Sequence, residues 1–365
     1  MNKNTMNSSI TSRKVYFDVL NILGTLFVVW IHFGNEVHWY DGSRVWYWCL
    51  FIQVVSYWAV PVFFMLTGAT LMDYQRKYDT GTYFKRRIRK TMIPYLFWGT
   101  IIAAVKITRP SIQIPCDKGI AQWLYSISDL FIHNQMESIY WFFPAIFGIY
   151  LCIPALTVFT EEKNRRKLNY LVIVGILTIA VIPFLYEMVK TYGSIDGLGW
   201  NSALELPMLG GYLIYPVLGY WAAKKDFTKA ERIVSYIAAI LCAVLRYWGL
   251  AFLSERDGNT NQLFMNYKGF PALFLALGVF VFVRYACEKL KMYIEKYSHL
   301  ISIASSCSFG VYLVHNLVLD QMARISFFAK YSVQWYFFWP FICYFLCVAI
   351  VLVGKRLPFV KRFFP

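Results

Sequence analysis

The stretch VYFDVLNILGTLFVVWIHFGNEV (Val15–Val37) decides how this chain is read. From Val15 to Phe33 it carries one acidic residue, Asp18, and one histidine, His32, in an otherwise apolar run about as long as a membrane-spanning helix. Lys3, Arg13 and Lys14 precede it, so it superficially resembles a signal peptide. No small-residue cleavage site follows, and Glu36, His38 and Trp39 come next, which points to a retained first helix.

The rest of the chain extends that reading. Of its 365 residues 58% are hydrophobic, 19% aromatic and only 15% charged, against about 25% charged in a typical soluble domain. Ten spans are expected, at 15–33, 46–72, 89–107, 139–160, 168–188, 204–222, 231–253, 267–287, 305–325 and 334–353. Pro61, Pro94, Pro144, Pro183, Pro216 and Pro340 fall inside them, as membrane bundles tolerate. The fold class is all-α, a polytopic membrane helix bundle. One transmembrane domain is expected over 15–353, between a short segment at 1–14 and a basic tail at 354–365.

A net charge of +16 could suggest nucleic acid as a partner, but the cations sit in short loops on alternate sides of the apolar runs. One set of loops holds 26 Lys and Arg and the opposite set 9, with Arg246 inside a span. That bias predicts both termini in the cytoplasm, hence an even number of spans, and excludes nucleic acid. Cys49, Cys152, Cys242, Cys343 and Cys347 lie within apolar runs without metal-ligand spacing and read as packing residues; Cys116 is the clear loop cysteine. The longest outer loop, 108–138, is long enough to fold over an outer vestibule.

Three features carry chemistry. His32 lies 17 residues into the first helix, roughly 25 Å from its cytoplasmic start and so near the outer edge of the hydrocarbon core. An interfacial histidine beside Trp30 and Trp39 fits that position, and so does a general base for a hydroxyl arriving from outside. Next, Lys85, Arg86, Arg87, Arg89 and Lys90 crowd the cytoplasmic end of a proline-containing span. They suit anchoring to anionic lipid, and equally the phosphates of a nucleotide-bearing donor. Finally, Asp18, Glu187, Glu205, Arg246, His315 and Asp320 are ionisable residues in or near spans. Arg246 is expected to pair with an acid such as Glu205 or Glu255. No Gly-rich phosphate loop, zinc helix or Gly-x-Ser-x-Gly elbow is present, and no metal is expected.

Several segments together resemble the membrane-bound acyltransferase 3 family of bacterial glycan O-acyltransferases. YFDVLNILGTLFVVWIHF resembles its opening pattern, an Asp followed by an apolar run ending in His, with Asp18 and His32 in those places. Asn21 stands where an Arg is frequent. VPVFFMLTGATLM is similar to the second-helix pattern, with Thr67-Gly68 for the usual Ser-Gly. FKRRIRKTMIPYL is similar to an Arg-x-x-Arg element before proline, and Arg86, Arg87, Arg89 and Lys90 are carried over as a group. YWFFPAIFGIYLCIP resembles the fourth-helix block (Trp141, Tyr150, Pro154) without its preceding His. SSCSFGVYLVHNLVL resembles the late Ser…Tyr-Leu-x-His element, giving Ser308, Tyr312 and His315.

The resemblance implies transfer of an acyl group, most often acetyl, from cytoplasmic acyl-CoA to a hydroxyl of a cell-surface polysaccharide or lipid-linked sugar. It also implies a multi-pass protein of the bacterial plasma membrane, of the short form without a C-terminal esterase-like domain; a homodimer stays open. His32 is the expected catalytic residue and Arg86, Arg87, Arg89 and Lys90 the expected CoA contacts. Tyr312, His315 and Thr67 are candidates for polarising the thioester carbonyl or orienting His32. Asp18, Trp141 and Arg246 are further substrate candidates, while Asn35 and Glu36 would orient the His32 ring or meet the acceptor. A transporter or flippase for a glycan or lipid-linked sugar is the competing class; such proteins usually show internal repeats and midplane charges, and no repeat is evident here.

Overall fold

A computed structural model of the chain describes residues 14–107 and 119–364. Residues 1–13 of the expected N-terminal segment, and 108–118 of the expected outer loop with Cys116, lie outside the described residues. Within the described residues the chain is helical and has no strand. In order the helices are α1 (Val15–Phe33), α2 (Arg44–Ser56), α3 (Ala59–Leu71), α4 (Thr80–Arg87), α5 (Ile93–Ile107), α6 (Gly119–Ile132), α7 (Phe142–Leu156), α8 (Arg165–Gly175) and α9 (Ile182–Tyr192). They continue with α10 (Ile214–Lys224), α11 (Lys229–Asp257), α12 (Phe270–Lys289), α13 (Lys291–Lys296), α14 (Ser298–Met322), α15 (Val333–Phe337) and α16 (Trp339–Arg356). The chain is a polytopic bundle: eight continuous helical stretches among the described residues are long and apolar enough to cross a membrane.

Two of the ten expected spans look different. The one at 89–107 extends back to Thr80, because α4 and α5 are joined by a π turn over Ile88–Met92. The one at 204–222 is helical only from Ile214. Before it come the 3-10 turns Ser202–Leu204 and Pro207–Leu209 and a left-handed Gly211 (φ +65°). Pro207 has no N–H to continue a helix, and Gly211 adopts a backbone conformation that other residues rarely take. Proline also explains both π turns. Ile88–Met92 runs up to two residues before Pro94, and Ile176–Val181 up to two before Pro183. A proline ring crowds the carbonyl four residues back, and widening the turn relieves that contact.

Lipid-facing and protein-facing sides separate by helical period. On α11, Ile233, Val234, Ile237, Ile240, Leu241, Val244 and Trp248 are exposed, while Ala239, Cys242, Arg246, Gly249, Leu250 and Leu253 are buried. An exposed apolar row at spacing three and four suits lipid as the neighbour. α1 sits inside the bundle, with contacts to α2, α3, α12, α14 and α16. Its packing against α14 is parallel: Asp18 meets Ser305 near one end, and His32 meets His315 near the other.

Candidate active site

Asp18, Asn21, Thr25 and His32 follow one another on α1 at intervals of three, four and seven, which places them on a single helical face. Ser305, Ser308, Tyr312 and His315, at intervals of three, four and three, likewise share one face of α14. The two polar stripes face each other. The Ser305 hydroxyl donates to Asp18 Oδ1 at 2.7 Å, and Asn21 Nδ2 reaches Ser305 Oγ at 3.5 Å. About 21 Å farther along α1, the His32 and His315 rings lie 5.3 Å apart, centroid to centroid.

Between these ends is a cavity of about 450 Å³. At its mouth are Arg87 and Lys90. Along its walls are Asp18, Asn21, Thr25, Thr67, Thr91, Ser305 and Ser308, and Tyr312 closes the far end. The His315 ring stands beyond Tyr312, with centroids 5.7 Å apart. The two histidines therefore lie past the cavity's end and do not line it. A second hollow, of about 490 Å³, sits at the mouth and is lined by Arg86, Arg87, Arg89, Lys90, Lys361 and Arg362. The four expected cations thus share one hollow, with Arg89 and Lys90 supplied by the π turn.

Hydrogen bonds limit what each group can do. His315 is fully buried, and its Nδ1 lies 2.8 Å from the Tyr312 carbonyl and 3.2 Å from that of Val311. Two acceptors there make Nδ1 the protonated nitrogen, so Nε2 carries a lone pair. That Nε2 is buried and has no hydrogen-bond partner among the described residues. A lone pair cannot donate to a carbonyl, so a neutral His315 is suited to receive a proton or hydroxyl and not to polarise a thioester. The Tyr312 hydroxyl donates to the Ile139 carbonyl at 2.5 Å, and Thr67 Oγ1 donates to the Phe63 carbonyl at 2.9 Å. Both donors are committed. The hydroxyl of Ser308 is different: it is buried, lines the cavity and has no hydrogen-bond partner among the described residues.

The region around the histidines is braced by groups that sequence reasoning passed over. Tyr140 donates to the Leu313 carbonyl at 2.9 Å while Tyr312 donates back to Ile139, tying the start of α7 to α14. The buried Glu137 accepts from Asn316 Nδ2 at 2.9 Å. Asn35 follows His32 by three residues, at the start of the 3-10 turn Asn35–His38. Glu36 turns away from the ring, with Oε1 3.8 Å from Lys330 Nζ and Oε2 accepting from the Cys49 thiol.

Trp141 and Arg246 are not beside the histidines. Trp141 packs on Tyr267 and Tyr212, at centroid distances of 5.5 and 5.6 Å. Arg246, which was expected to have an acidic partner, pairs with no carboxylate among the described residues. Its guanidinium sits 3.4 Å from the centre of the Tyr57 ring, and it donates to the Phe264 carbonyl. Tyr57 in turn stacks on Tyr267 at 4.1 Å. Guanidinium is weakly hydrated and stacks well on aromatic faces, so an aromatic cage takes the place of an acid.

The residues missed were Asn21, Thr25 and Ser305 as parts of facing polar stripes, and Lys361 and Arg362. The stripes were visible as a 3.6-residue period of small polar groups within apolar runs. Nothing local marked the tail pair, because only the folded chain brings it to the mouth. Among the described residues no cluster of His, Cys, Asp or Glu could hold a metal ion.

A family model described as an acyltransferase domain, that of the acyltransferase 3 family, matches residues 14–354. No curated protein and no solved structure matches the chain.

Proposed function

The chain belongs to the acyltransferase 3 family, and from that premise we propose that it carries acyl groups across the thickness of a bacterial plasma membrane. The donor is cytoplasmic acyl-CoA, acetyl-CoA by preference, and the acceptor is a hydroxyl of an extracytoplasmic polysaccharide or lipid-linked sugar. Residues 15–353 act as one catalytic domain with both termini in the cytoplasm. The observation that carries this reading is the cavity running from Arg87 and Lys90 to Tyr312, with the paired histidines beyond it.

Each group then has a task. Arg86, Arg87, Arg89 and Lys90 hold phosphates at the mouth, since guanidinium groups bind phosphate bidentately. The thioester arm lies between the polar stripes of α1 and α14, where the partnerless Ser308 hydroxyl meets one of its amides. His32, oriented by Asn35, takes the proton of the sugar hydroxyl as that oxygen attacks the thioester carbonyl. The ester C–O bond forms, the C–S bond breaks, and the thiolate leaves, taking up the proton from the imidazolium. His315, with its Nε2 lone pair, helps place the attacking hydroxyl.

Mass spectrometry of surface glycans from cells with and without the gene tests the reaction, with an acyl mass difference as the expected result. His32→Ala should abolish that difference while the protein still accumulates in membranes, and full acylation by this variant would sink the assignment. Removing a general base typically lowers rate by about 10²–10⁴.

A further inference from the structure

The C-terminal turn is packed as part of the mouth. The last spanning helix ends at Arg356, and a 3-10 turn follows over Lys361–Phe363. The Phe363 ring stacks on Phe97 with centroids 3.6 Å apart and planes within 3°. Trp98 Nε1 donates to the Phe363 carbonyl at 3.2 Å. Phe364 is buried, 5.0 Å from the Trp98 ring, and lies over Gly310 and Gly354, where a Cβ would collide with it. These contacts fix Lys361 and Arg362 on the rim opposite the α4–α5 cations.

Six cations therefore converge on a hollow of about 490 Å³. None of the six takes part in any ion pair among the described residues. Arg86 and Arg87 lie instead over the Tyr78 and Tyr150 rings, at 4.3 and 5.6 Å. Like charges gathered without counter-charge repel, and the repulsion grows where low-dielectric walls focus the field. Orienting a chain in a membrane needs cations near the surface. It does not need them to converge, nor a tail clamped by two aromatic rings.

We propose that Lys361 and Arg362, clamped by Phe363 and Phe364, complete a polyphosphate-binding site with Arg86, Arg87, Arg89 and Lys90. The site takes the phosphorylated nucleotide end of the donor. This rests on the reading of the chain as a CoA-dependent acyltransferase. The phosphates of an anionic lipid headgroup share the same chemistry, so the test separates the two sources.

The test uses the full-length chain in nanodiscs of phosphatidylcholine, titrated with CoA and with 3′-dephospho-CoA. The wild type should bind CoA. The Lys361→Gln/Arg362→Gln variant should bind it about tenfold or more weakly, the size of one lost charge-assisted contact. Phe363→Ala, which keeps every cation but frees the tail, should also weaken binding, with its elution and melting profile reporting that it folds. If the double variant binds as the wild type does while Arg87→Gln binds weakly, the tail inference is overturned and the donor reading survives. If the wild type binds neither ligand, the donor reading fails. Should the wild type instead co-purify with phosphatidylglycerol that the double variant loses, and bind no CoA, the six cations belong to lipid and the proposal is overturned.

Discussion

Ser308 is where the residue scale says most about the reaction. It lies seven residues before His315 on α14, about 10.5 Å lower along the helix, so its hydroxyl is too far down to reach an acyl carbonyl beside the histidines. It is also buried, in the cavity wall, and without a hydrogen-bond partner among the described residues. In the proposed reaction a group so placed meets the donor's arm. Ser308→Ala should raise the KM for acyl-CoA about three- to tenfold and leave kcat near the wild-type value, the signature of binding lost equally in ground and transition states. Steady-state kinetics on reconstituted protein would decide; a fall in kcat with unchanged KM would move Ser308 to the reacting carbonyl. The sequence marked Thr67, Tyr312 and His315 as candidates to polarise the thioester, but each already gives its hydrogen to a backbone carbonyl. Composition does not reveal which backbone carbonyl has already claimed a proton, as Phe63, Ile139 and Tyr312 have done. Arg246 gave the same lesson. Its burial was predictable from its place in the span, but not its partner, because the Tyr57 ring comes from the junction of α2 and α3, far away in the sequence.

At the scale of elements, the bundle turns on how closely α3 approaches α10. Gly68 of α3 rests on the backbone of Pro216, and Gly219 of α10 rests on the backbone of Met65, so any Cβ at either position would run into main chain. Small residues let membrane helices meet backbone to backbone, and α10 has only 11 residues with which to hold its place. Gly68→Ala and Gly219→Ala should each cost about 1–3 kcal/mol, since neither side of the contact is a side chain that can rotate away. Melting in detergent would read this out, with Gly148→Ala as control, because a Cβ there meets nothing within 4 Å. Equal melting temperatures for all three would refute the close contact. Thr67-Gly68 stood out as a pattern in the sequence, whereas Gly219 did not. The start of α10 was misread because hydropathy stays high across Pro207, Gly210 and Gly211, where the helix itself cannot continue.

The whole molecule has two chemically unlike ends, and the parallel pairing of α1 with α14 connects them. One end gathers the six cations, two of which, Arg87 and Lys90, also open onto the cavity lined by Asp18 and Ser305; the other holds His32, His315 and the start of α2. Only one orientation serves the proposed reaction, in which the donor is cytoplasmic acyl-CoA and the acceptor an extracytoplasmic glycan. Two exposed residues can report it. Trp39 follows His32 at one end, and Met292 precedes α14 at the other; they are 70% and 74% exposed. In a chain carrying Cys116→Ser, Trp39→Cys should react with a membrane-impermeant thiol reagent on intact cells from which the outer barrier has been removed. Met292→Cys should react only after the membrane is opened. The reverse pattern would turn the cationic mouth away from the nucleotide pool. No arrangement of His32, Ser308 or the tail could then rescue acyl-CoA as the donor, and the cavity would have to be filled from the glycan side.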